Sequence, residues 1–191
     1  MGKAALRKKF LEKRRQLGTA EVENLSTAIA NRFFELPLDK INYIHTFYPI
    51  AGRAEVDTLR ISERLRTDFP HIKQVLSKSD TQNHTLSHIL WDENTPLAMN
   101  EWGITEPVSG VEVLPEQLDI VLIPLLVYDK KGNRVGYGKG FYDRFLSECR
   151  SDAMKVGLSF FEPVDLISDA NELDIPLDAC ISPKGIFTFK K

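Results

Sequence analysis

The run "RVGYGKGFYDRFL", Arg134 to Leu146, carries glycines at 136, 138 and 140, cations at 134 and 139, and an acid at 143. Alternating glycines let a backbone turn tightly and come close to a ligand. An amphipathic helix pattern starts at once after them, and the free amides at a helix start attract anions. Phosphate binding is the chemistry these residue types suit. Common phosphate motifs do not fit: counted from Gly132 the Walker spacing is one residue too long, and Gly140 stands where a magnesium-binding Ser or Thr belongs. The dinucleotide fingerprint fails at Phe141, where a third glycine is required. A tight connection needing positive φ is the competing structural reading.

Asp143 falls in the first turn of the expected helix, where an acid suits the dipole by itself. A carboxylate beside a phosphate loop is also how magnesium is held, with phosphate oxygens and water completing its shell. Asp178, in "IPLDAC", is a candidate second ligand, and Glu55, just past a strand, is a candidate for substrate contact. Positions 3 to 15 hold seven Lys or Arg and one Glu, a solvated face or a nucleic-acid surface; a third reading folds Lys3 and Arg7 over ligand phosphates. His84 and His88 have a four-residue spacing, but the segment reads as strand with no third zinc ligand nearby. No Ser or Cys occupies a nucleophile motif.

These groups must be positioned by a chain of 191 residues with 42% hydrophobic residues and a net charge of −2, suited to one domain with an ordinary core. Two cysteines make no disulfide framework, and the longest apolar run is far too short to span a bilayer, so a cytoplasmic protein is expected. Helical periodicity predicts helices over Lys3 to about Leu17, from Gly18 with Thr19 as N-cap to Pro37, after Asp57, and through about Arg150. Leu6, Phe10, Arg14 and Leu17 form one stripe of the first. Strands are expected at "INYIHTFYP", "IKQVLSK", "HTLSHILW", "DIVLIPLLVYD", "KVGLSF", "ACISP" and "GIFTFK", with residues 92 to 117 irregular. Eight consecutive apolar residues at 120 to 127 describe a strand covered on both faces, hence an α/β fold: a mostly parallel, helix-flanked sheet in three layers. Such sheets bind ligands beyond the carboxyl ends of their strands, where that strand delivers the glycine loop.

Taken in order, "KAALRKKFLEKRRQL", "FYPIAGRAEVDT", "EWGITEP", "DIVLIPLLVYDKKGNRVGYGKGFYDRFL" and "PLDACI" resemble the 5-formyltetrahydrofolate cyclo-ligase family over nearly the whole chain. The resemblance implies one domain over residues 1–191 with a NagB/RpiA/CoA-transferase-like, Rossmann-like fold. It also implies closure of 5-formyltetrahydrofolate to 5,10-methenyltetrahydrofolate, driven by ATP and Mg2+, by a monomer that uses neither nucleic acid nor membrane. By position, Lys3, Arg7, Arg134, Gly136, Gly138, Lys139, Gly140 and Tyr142 would contact ATP, with Arg134, Lys139 and Tyr142 catalytic. Asp143 and Asp178 would hold magnesium. Tyr48, Glu55, Trp102, Tyr137 and Phe141, with Gly138, Lys139 and Gly140, would meet the folate. The readings left beside it are a phosphosugar isomerase, or another enzyme using the loop as an anion cradle, and an RNA-binding module using the basic helix.

Overall fold

The apolar run at 120 to 127 does not stay in one strand. It pairs in the central sheet only as far as Pro124, which has no N–H to continue the ladder, and its last residue, Val127, begins a strand of a separate hairpin. The computed structural model describes residues 1–189 apart from Thr81 and His84, so one half of the histidine pair lies outside the described residues.

In chain order the elements are α1 (Lys3–Arg15), α2 (Thr19–Phe33), β1 (Tyr43–Thr46), α3 (Leu59–Asp68), β2 (Lys73–Asp80) and β3 (Thr85–Trp91). There follow β4 (Leu97–Met99), β5 (Thr105–Pro107), β6 (Ile120–Pro124), β7 (Val127–Tyr128) and β8 (Arg134–Val135). The last are α4 (Phe141–Glu148), β9 (Met154–Leu158), β10 (Ala179–Ser182) and β11 (Gly185–Thr188). The sheet order is β11-β10-β9-β6-β1-β2-β3, with the five inner strands parallel and both edge strands antiparallel. This is an α/β domain whose mostly parallel central sheet is flanked by helices.

Side chains of β6 divide by the strand's period of two. Ile120 and Leu122 enter a core with Ile29 and Phe33 of α2 and Ile61 and Leu65 of α3. Val121 and Ile123 enter a second core with Phe145 and Leu146 of α4. That division gives the three layers expected. A third cluster joins Leu6 and Phe10 of α1 to Leu126, Val127 and Val135, so α1 packs on the β7/β8 hairpin.

Several boundaries differ from the sequence reading. Gly18 is the N-cap of α2, and Thr19 is already helical. Thr58 precedes α3, while Asp57 Oδ1 still accepts a hydrogen bond from the Leu59 amide at 3.2 Å. The segment 92 to 117 is not irregular throughout, since β4 and β5 pair within it. The "DKKGN" turn is tied by Asp129, whose Oδ1 accepts from the amides of Lys131 and Asn133 at 2.9 and 3.0 Å. Its Oδ2 accepts the Ile167 amide at 3.0 Å, and this cap sets the start of the strand that carries Arg134.

Candidate active site

From β1 the chain proceeds outward to β2 on one side, while β6, β9 and β10 extend the sheet on the other. The β1/β6 junction is therefore the switch point at which open α/β sheets form their ligand crevice. A cleft of about 540 Å³ lies there, bounded by Thr46 and Phe47 after β1 and by Pro124 of β6. Its walls include Lys3, Arg7, Tyr48, Glu55, Trp102, Arg134, Gly136, Tyr137, Gly138, Lys139, Gly140, Phe141, Tyr142 and Asp143. Residues selected across 140 positions of sequence thus share one cavity.

The glycine loop adopts conformations its composition allows. Gly138 has φ +94° and Gly140, the N-cap of α4, has φ +71°. The bare face of Gly138 admits the Arg7 guanidinium to 3.0 Å of where a Cβ would stand, and Arg7 Nε donates to the Gly136 carbonyl at 2.9 Å. Arg134 is buried; its Nη2 donates to Asp143 Oδ1 at 2.7 Å and its Nη1 donates to the Ile175 carbonyl. The Ile175 amide donates to the same Asp143 oxygen at 3.2 Å. Lys139 lays its ammonium 3.2 Å from the centroid of the Trp102 ring, and Phe141 meets that ring edge-on at 6.0 Å.

On the opposite wall the buried Glu55 accepts the Tyr137 hydroxyl at Oε1, 2.5 Å, and the Ile50 amide at Oε2, 2.8 Å. Burial foremost, then the Glu55 charge, pushes the Tyr137 and Tyr142 phenols far up. Both stay protonated donors at neutral pH. Tyr48 stands edge-on to Trp91 at 6.3 Å.

One expected site residue is not brought to the cleft. Asp178 lies immediately before β10, at the amino ends of the parallel strands, where Oδ2 accepts from Lys155 N and Nζ at 2.8 and 3.3 Å. The parallel direction of β10 places it opposite the crevice, so the pairing of Asp143 with Asp178 is corrected. Besides Asp143 and Glu55, the cleft is lined by a third carboxylate, Asp174, ion-paired to Lys3 Nζ at 2.5 Å. Nothing distinguished Asp174 from Asp178 in the sequence. Arg14, a cation on the apolar stripe of α1, is buried outside the cleft lining.

Among the described residues no group of three or more His, Cys, Asp or Glu side chains could hold a metal ion. Asp143 and Asp174 suit a cation that takes one or two carboxylates and completes its shell with substrate oxygens and water, as Mg2+ does. They do not suit a metal held by protein groups alone.

Ser77 lines the cleft, and its Oγ lies 2.8 Å from His45 Nε2 and 3.4 Å from His88 Nδ1, with Phe145 packed on both rings. Burial lowers the His45 pKa well below its usual value and brings that of His88 down to about 4. An unfolded histidine binds its proton near pH 6.5, so between about 6.5 and 4 the unfolded state takes up more protons. Stability is full above that window and falls on acidification through it. Urea midpoints are expected to drop from pH 7 to pH 5, and His88→Leu is expected to flatten the slope; an unchanged slope contradicts the assignment.

The fold and the cleft define the class: an α/β enzyme with an anion-suited ligand site at the switch point of its sheet. Among known proteins, the model of the 5-formyltetrahydrofolate cyclo-ligase family matches residues 1–180, and the chain belongs to that family. It is 30% identical to the 5-formyltetrahydrofolate cyclo-ligase of Mycoplasma pneumoniae over 190 residues, covering 95% of this chain and 99% of the relative. The Escherichia coli cyclo-ligase is 29% identical over 181 residues, 92% and 97% of the two chains. The solved 5,10-methenyltetrahydrofolate synthetase of Mycoplasma pneumoniae superposes with TM-score 0.77 at 29% identity, over 96% of this chain and 99% of that one. That of Aquifex aeolicus gives 0.79 at 29% identity, over 100% and 94%. No helix among the described residues is long and apolar enough to cross a membrane.

Proposed function

We propose that residues 1–191 act as one domain that converts 5-formyltetrahydrofolate to 5,10-methenyltetrahydrofolate at the expense of ATP. The observation that carries this reading is the convergence of Lys3, Arg7, Arg134 and Lys139 with the α4 N-terminus on one cleft, within a chain of this family. A formyl group on N5 is an amide, a weak electrophile whose oxygen leaves poorly. Attack of that oxygen on the γ-phosphorus expels ADP and gives an N5 iminium phosphate. N10 then adds to the activated carbon, its proton is lost, and inorganic phosphate departs with the former formyl oxygen. Nothing in this sequence requires a protein nucleophile, which agrees with the absence of a nucleophile motif. The protein's work is alignment and charge stabilisation.

Each part of the cleft has a role in that work. Lys3, Arg7 and the glycine-loop amides hold the phosphates, and Arg134 and Lys139 face the charge that develops on the transferred group. Asp143, with Asp174 in place of Asp178, would hold Mg2+, which when bound would supply positive charge to offset that of the phosphates. Tyr142 is a neutral donor at the loop's end. Tyr48, Glu55, Trp102, Tyr137 and Phe141 orient and wall the folate. The protein works in the cytoplasm as a monomer with no nucleic-acid partner. Free Cys149 and Cys180 are consistent with a reducing compartment, and of the basic helix's cations Lys3 and Arg7 face the cleft and Arg14 is buried, so these three do not present a surface to a polynucleotide.

The deciding test mixes protein, 5-formyltetrahydrofolate and Mg·ATP and follows the near-ultraviolet absorbance of the methenyl product. No signal above the non-enzymatic background, or an equal signal without ATP, overturns the reading. Lys139→Ala is expected to lower kcat by on the order of 10²-fold with unchanged thermal unfolding, because an ammonium resting on Trp102 carries little of the fold. Wild-type turnover in that variant would return the lysine to a packing role.

A further inference from the structure

Arg14 has 3% of its surface exposed, and a guanidinium that deep must be matched by acceptors. It has three: the Leu125 carbonyl accepts from Nη2, the Tyr137 hydroxyl oxygen accepts from Nη1 at 3.2 Å, and Glu55 Oε1 lies 4.0 Å from Nη1. Both side chains of the ion pair are nearly excluded from water, at 4% and 3% exposure. Leu125 immediately follows β6, Tyr137 belongs to the glycine loop and Glu55 to the segment after β1. One helical side chain therefore ties together both strand exits of the switch point and the loop between them. Glu55 and Tyr137 line the cleft, whereas Arg14 stands behind them.

The arrangement decides what Glu55 can offer a ligand. Tyr137 and the Ile50 amide each use one lone pair on the two carboxylate oxygens, leaving further acceptor positions for N–H donors. A cation beside a buried carboxylate helps to hold it in a single orientation. On the cyclo-ligase reading, on which this rests, we infer that Arg14 is a positioning residue for the folate side of the cleft, holding Glu55 and Tyr137 ready for the donor-bearing ring of the substrate. It touches neither substrate. Its effect is selective for one of the two ligands, which a purely structural ion pair is not.

Equilibrium binding of 5-formyltetrahydrofolate and of Mg with a non-hydrolysable ATP analogue, each to wild type and variants, tests this. Arg14→Met is expected to weaken folate binding by on the order of 10²-fold, the scale for uncoupling a buried charge pair, with nucleotide binding unchanged. Arg14→Lys is expected to recover part of the loss. In an Arg14→Met/Glu55→Gln pair the two losses should not add, because both act at one contact. Equal weakening of both ligands, wild-type folate binding, or additive losses overturns the inference. Should Arg14→Met not fold, Arg14→Lys carries the test alone: selective loss of folate affinity supports it and wild-type affinity overturns it. A wild-type protein that binds no 5-formyltetrahydrofolate overturns the functional reading as well, whereas binding in wild type that Arg14→Met leaves intact overturns only the role of Arg14.

Discussion

Asp143→Asn is expected to lower kcat by on the order of 10²- to 10³-fold, the largest single loss in the cleft. The substitution keeps an oxygen for the Ile175 amide and removes only the charge, so the local backbone has no reason to move. Two functions of the carboxylate are lost together. Arg134, whose side chain is 7% exposed, gives up its ionic partner, and the cleft loses the carboxylate proposed to hold Mg2+. The stability cost should be smaller than the about 3–5 kcal/mol of a fully buried pair, because the Asp143 side chain is 34% exposed. Turnover measured across a Mg2+ titration, beside thermal unfolding, separates the effects. Wild-type kcat at every Mg2+ concentration would remove Asp143 from the machinery.

Gly138→Ala is expected to cost on the order of 10²-fold in kcat/KM for ATP, the scale of a small misplacement of reacting groups. At φ +94° an alanine is strained, and its methyl would meet the Arg7 guanidinium at 3.0 Å. Loop and arginine must shift together, away from the position both share in the wild type. Gly136→Ala is the control, since Gly136 lacks a positive φ and has nothing within 4 Å of an added Cβ. Its loss should be clearly smaller. Equal losses at 136 and 138 would mean that any methyl in the loop blocks ligand, and that the Arg7 contact is incidental.

The sheet, its layers and the loop's place were legible in "IVLIPLLV" and the glycines after it, because burial on both faces and free backbone rotation leave marks on composition. The hairpin of β7 and β8 was not, since a two-residue strand leaves no period to read. Pro124 is where the sheet pairing ends, but apolar residues on both sides of it make the run read as one strand. Asp178 and Asp174 show the limit more sharply. Both are loop acids four residues apart that precede β10: Asp178 adjoins the strand and is held by Lys155 of β9, whereas Asp174, earlier in the loop, pairs with Lys3 of α1 at the cleft, a fact of topology and not of residue type. Arg14 could be seen on its stripe, but its buried partners are 41 and 123 residues away.

Those long separations also set an order of assembly. Lys3, Arg7 and Arg14 find their partners at Asp174, Gly136 and Tyr137, which are 171, 129 and 123 residues further along. At about 5–20 residues per second, a ribosome takes several seconds or more to deliver them after α1 has left it. Through that interval α1 has no hairpin to pack on, and Arg14 remains hydrated. The first helix made can therefore dock only after the hairpin has emerged, and the ligand crevice cannot form before then. A nascent chain stalled before Arg134 would hold α2, β1, α3 and β2 without a binding site, and a ligand could begin to stabilise the protein only once the glycine loop had emerged.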